Sequence, residues 1–149
     1  MKANELRIGN FILLGGNSFG TVVNITTETD EEPQVDFITI KIGGGYIDST
    51  INGFYPIKLT EEWLVRFGFE GKESDGFCIP IEIELGELQY EKYLALEGSI
   101  DGFYCDLVYK EDTIEEIRMI LKDIGYVHQL QNLYFALTGE ELTLKIPIN

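Results

Sequence analysis

From Phe77 to Leu85 apolar and polar residues alternate without interruption, with Ile79, Ile81, Ile83 and Leu85 in one set and Pro80, Glu82 and Glu84 in the other. A period of two belongs to a β-strand whose faces meet different surroundings, so the stretch is predicted to be a half-buried antiparallel strand. Pro80 has no N–H to offer a neighbour, which places the strand at a sheet edge. Leu88 to Leu96 and Phe103 to Tyr109 follow as further strands, with turns at Gly86-Glu87 and at Gly98-Ser99 and Asp101-Gly102. A three-stranded meander is the expected result.

The residues before this sheet read as a separate β unit. Phe11 to Leu14, the flexible segment Gly15 to Ser18 and the β-branched Thr21 to Thr26 suggest a hairpin. The polar run Thr27 to Gln34 is a loop, and Val35 to Ile42 is the next strand, stopped by Gly43-Gly44-Gly45. A short segment around Tyr46 and Ile47, an Asn52-Gly53 turn and a last strand at Phe54 to Ile57 complete four or five strands, which suggests an SH3-like small barrel.

Helices are expected at three places. Thr60 to Phe67 has Thr60 as a cap, Glu61 and Glu62 in the first turn and Gly68 as a stop, with Leu59, Trp63, Leu64 and Phe67 on one face. Residues 113 to 124 open on a capping box, Thr113 with Glu116, and carry Ile114, Ile117, Leu121 and Ile124 at helical spacing. Val127, Leu130, Leu133, Tyr134 and Leu137 make most of Tyr126 to Gly139 helical, and Leu142 to Ile148 is a final strand. The fold class is therefore α+β, with a barrel-like lobe over 1–58 and an α+β lobe over 59–149, or one continuous domain.

The 149 residues are enough to bury an apolar core, and 44% are hydrophobic. Asp and Glu number 26 against 11 Lys and Arg, a formal charge of −15 that repels a phosphate backbone. Direct nucleic-acid binding is disfavoured; the charge serves solubility or meets a basic partner. The polar N-terminus and the short apolar run Phe11 to Leu14 match neither a signal peptide nor a membrane span, so a cytoplasmic protein is expected. Cys78 and Cys105 stand far apart with no C-x-x-C, which reads as two buried thiols rather than a zinc site or a disulfide framework.

No sequence pattern of a hydrolase, a phosphate loop or a metalloprotease is present, and no cofactor or metal is expected. Glu82, Glu84, Glu87 and Glu91 read as a solvated face rather than a carboxylate pair. His128 is the only histidine, with no nucleophile beside it in sequence. On a helix His128, Gln131 and Asn132 fall at i, i+3 and i+4, beside Tyr134. That face can hold a polar ligand or a partner, or it can fix the helix against a sheet. Trp63 is the other candidate contact.

Lys2 to Asn10 near the start, Ile57 to Leu64 with Phe67-Gly68-Phe69 in the middle, and Val127 to Leu142 near the end together resemble a group of small uncharacterised proteins. These are encoded in gut-type bacterial genomes and their phages or mobile elements. The resemblance implies a setting, an accessory protein of a phage or integrated element, and brings no activity with it. Residues 70 to 125 lie outside it.

Three functions compete. The first is a non-enzymatic accessory protein that binds an unknown, basic protein partner. The second is an acidic mimic of nucleic acid that blocks a host defence protein, which requires carboxylates clustered on one face. The third is a binder or enzyme for a small polar ligand that uses His128, Gln131, Asn132 and Tyr134.

Overall fold

The computed structural model describes residues 1–16, 18–28, 35–72, 75–83, 91–111 and 114–145. It is an α+β protein with two antiparallel sheets and two α-helices. The chain divides into two compact units, residues 1–58 with 126–133, and residues 59–125 with 134–149.

The first unit holds strands β1 (Phe11–Leu13), β2 (Phe19–Glu28), β3 (Val35–Ile42) and β4 (Gly45–Thr50), paired in that order. The expected hairpin is β1 with β2, in the register Ile12 opposite Gly20. The register of β2 on β3 shifts between Val22 and Asn24, a bulge that bends the long strand. Ile12, Val22, Ile38 and Ile40 point to one side and are buried with Ala3, Leu6 and Phe54. Each large side chain hidden this way contributes roughly 1.5–3 kcal/mol. Asn52-Gly53 lies in a 3-10 turn (Ile51–Gly53), and the expected strand after it is reduced to one bridge, Tyr55 to Leu13. Among the described residues β1 and β4 do not pair with each other.

The second unit opens with helix α1 (Glu61–Phe67), then β5 (Glu70–Lys72), β6 (Gly76–Pro80), β7 (Glu91–Gly98), β8 (Phe103–Glu111) and β9 (Ile114–Ile124), in the order β5-β6-β7-β8-β9. The helix is where the sequence predicts it. Thr60 precedes it without a side-chain capping bond. Its end follows the expected chemistry: Gly68 takes φ 88°, and the N–H of Phe69 reaches the carbonyl of Leu64 at 3.0 Å. Phe77, Ile79, Leu94, Leu96, Phe103, Cys105 and Leu107 are buried, and the register sets them side by side on one face of the sheet.

Several expectations are corrected here. Residues 114–124, read as a helix, form strand β9 on β8 from Phe103 opposite Ile124 to Glu111 opposite Ile114. The pairing offered by β8 outweighs the helical spacing, because a ladder and a shared core outrank local propensity. Cys78 is exposed, so only Cys105 is a buried thiol. Leu142 to Lys145 is irregular, held by the Lys145 N–H on the carbonyl of Arg66 at 2.8 Å. The expected turn at Gly86-Glu87, Glu84, Leu85, the Thr113 cap and residues 146–148 lie outside the described residues. Strand β6 ends at Pro80, with Ile81 to Ile83 irregular, and lies between β5 and β7 rather than at the edge expected from Pro80; Pro80 is beyond the last residue paired with β5, so its missing N–H costs that ladder nothing. Helix α2 (Val127–Thr138) follows β9, as expected for that segment. The division between the units falls within it, after Leu133.

Candidate functional site

The sequence-nominated residues are divided between the two units. His128, Gln131 and Asn132 belong to the first unit; Trp63 and Tyr134 belong to the second. In the first unit the segment Arg7 to Asn10 is a tight turn, with the Asn10 N–H on the carbonyl of Arg7 at 3.1 Å and Gly9 at φ 95°. Positive φ at the third position is what a type II turn demands and what glycine gives freely. Asn10 is fully buried, and its side chain accepts from the Arg7 N–H at 2.7 Å.

Helix α2 closes over this turn with its two amides. Gln131, 1% exposed, accepts from the Phe11 N–H at 2.8 Å and donates to the carbonyl of Gly9 at 3.1 Å. Asn132 accepts from the Asn10 amide and donates to the carbonyl of Glu5, both at 2.9 Å. Both ends of both amides are engaged by the turn and its flanks. The polar face of α2 is thus a clamp on this turn, through the Phe11 N–H, the carbonyls of Gly9 and Glu5 and the Asn10 side chain. His128 is buried and its ring stacks on Tyr126, with centroids 5.9 Å apart.

In the second unit Tyr134 is half-buried, and its hydroxyl is pushed above its usual pKa by burial and then by the charge of Glu140. Trp63 is half-buried, with Phe67 at 5.8 Å and the Arg66 guanidinium 5.6 Å from its ring centre.

The feature that sequence reasoning missed lies on the five-stranded sheet. Its face opposite the buried one carries an open depression of about 390 Å³, lined by Cys78, Tyr93, Glu97, Val108, Glu116 and Arg118 among others. Arg118, on β9, is paired with Glu97, lies 3.2 Å from Glu116 and 3.8 Å from Asp106, and holds its proton more tightly chiefly through Glu97. Three carboxylates face one guanidinium. Tyr93 donates its hydroxyl to Glu91 at 2.8 Å, which raises its pKa.

Strand β9 forms the border of this sheet and is exposed along most of its length. Ile120 is 80% exposed, Ile117 58% and Met119 52%. The register puts Ile117 and Met119 beside Tyr109 and Leu107 on the core side, and Arg118 and Ile120 beside Val108 and Asp106 on the other. Apolar side chains therefore border the sheet on both faces. In sequence they passed as the apolar face of a helix, and only their β-branched content hinted otherwise.

Acidic charge is unevenly divided. The second unit contains 19 Asp and Glu against seven Lys and Arg, a formal −12; the first contains seven against four, a formal −3. Among the described residues no group of three or more His, Cys, Asp or Glu is placed to hold a metal ion, and no helix is long and apolar enough to cross a membrane. Comparison with protein-family models, with curated proteins and with solved structures returns no match to this chain.

Proposed function

We propose that this chain is a non-enzymatic binding protein that engages a basic protein partner through its second unit. The observation that carries the reading is the exposed apolar border of β9 in a unit of formal charge −12. Exposed apolar side chains at a sheet border mark association surfaces, and the surrounding charge selects a partner of opposite sign. The same concentration of charge favours a second reading, an acidic mimic that occupies the basic groove of a host defence protein. The small-ligand reading draws less support, because the amides of Gln131 and Asn132 are already engaged.

The setting we attach to this function is that of a phage or mobile-element accessory protein, on the strength of the sequence resemblance, working in the cytoplasm, on the strength of the polar N-terminus and the short apolar run Phe11 to Leu14. We also read the first unit as an SH3-like small barrel: after β4 and a 3-10 turn the chain returns to β1 through the Tyr55–Leu13 bridge, the step that closing such a barrel needs. The test is affinity purification of the tagged protein from a gut-bacterial host, before and after phage induction, with mass spectrometry of what co-elutes at moderate and at high salt. A stoichiometric basic protein is expected. Its loss at high salt would favour the acidic mimic, and recovery of no partner under either condition would refute the binding function.

A further inference from the structure

We infer that β9 is a docking edge that takes a lysine- or arginine-bearing extended segment of the partner as a sixth strand of the sheet; this rests on the binding function proposed above. Strand β9 is eleven residues long and pairs only with β8 among the described residues, whereas β5, at the other border, has three. A border strand directs a row of N–H and C=O groups outward, and strand addition uses that row for affinity and alternate side chains for specificity.

Natural edges are usually blunted by bulges, prolines or charge. In β9 the ladder to β8 shifts near Leu121, opposite Cys105 and Asp106, and again between Tyr109 and Glu111. Between these irregularities Ile117, Arg118, Met119 and Ile120 run in unbroken register, and three of the four are exposed apolar residues. The stretch without a bulge and the apolar stretch coincide.

Charge decides the occupant. A strand laid beside β9 would set alternate side chains next to Ile117 and Met119 on one face and next to Arg118 and Ile120 on the other. On that second face Glu97, Asp106 and Glu116 surround Arg118, and Asp75 and Lys110 also line the depression, so the acidic groups exceed the basic. A second copy would bring another −15 to the same border and be repelled. An extended segment with basic and β-branched residues in alternation meets both the charge and the apolar border.

The probe is a fluorescent peptide alternating lysine and valine over the length of β9, titrated against the full chain at low salt by anisotropy. Its control is the same peptide N-methylated at alternate residues, which keeps the charge and removes the strand's hydrogen bonds. The unmethylated peptide is expected to bind at least about tenfold more tightly, to slow hydrogen exchange in β9, and to lose that advantage on the variant Ile117→Lys with Ile120→Lys. Equal binding of the two peptides, no binding, or exchange protection that appears only as the protein itself is concentrated would each overturn the inference. The same variant separates this inference from the function it rests on. A cellular partner retained by the variant overturns strand addition and leaves binding intact, and no partner for the unaltered chain overturns the function whatever the peptide does.

Discussion

Replacing Gln131 tests whether the polar face of α2 is structural. The side chain is 1% exposed and satisfies the Phe11 N–H and the Gly9 carbonyl at 2.8 and 3.1 Å. Removing it leaves two backbone groups without their partner, at about 1–3 kcal/mol each, so Gln131→Ala should destabilise by about 2–6 kcal/mol before any cavity is counted. Gln131→Leu fills nearly the same volume and supplies no hydrogen bond, so it isolates the polar loss from the cavity. Both variants should unfold at lower urea concentration, and exchange of the Phe11 amide should accelerate about tenfold for each 1.4 kcal/mol lost locally. If both lie within about 0.5 kcal/mol of the parent, with Phe11 exchange unchanged, the clamp is refuted and the amides are free for another use.

The Cys105 thiol is pushed by burial, and then by the charge of Asp106 against the opposing pull of Lys122, from its ordinary 9.0 to about 12. The raised value means that the fold keeps the proton while the unfolded chain releases it. The stabilisation is complete below pH 9 and falls, by up to about 1.4 kcal/mol per unit, as the pH rises toward 12. Urea titrations of the parent and of Cys105→Ala over pH 8 to about 11 should diverge in slope, and parallel curves would refute this. Gly68→Ala places a side chain at φ 88° and should cost about 1–2 kcal/mol, whereas Gly98→Ala, with open space around it and no such φ, should cost well under half of that by thermal unfolding. Equal effects at the two positions would show that backbone strain is not what Gly68 relieves.

What was legible in the sequence follows what burial imposes on it. The β1–β2 hairpin, β3 and α1 are read correctly because a covered face forces regular spacing: Val22, Ile38 and Ile40 in the strands, Leu64 and Phe67 in the helix. The amides of Gln131 and Asn132 were recognised as one polar face, yet their partners, the turn at Arg7 to Asn10, lie about 120 residues away and carry no local signal. Cys78 was assigned to the interior because exposed thiols are uncommon; its place on the uncovered face follows only from the register with Ala95.

The misreading of β9 has a physical cause that bears on function. A strand covered on one face must alternate, because each apolar residue turned the wrong way would meet water. Strand β9 escapes that rule: from Glu116 to Ile120 every residue is exposed, so neither face imposes a period of two. Ile114, Ile117, Leu121 and Ile124 then match a helical spacing without any helix to sustain it. A border buried by the chain itself would have declared its period. The apolar residues retained there without that period form the exposed border on which the proposed binding rests, so the element hardest to read from sequence is also the one that proposal depends on.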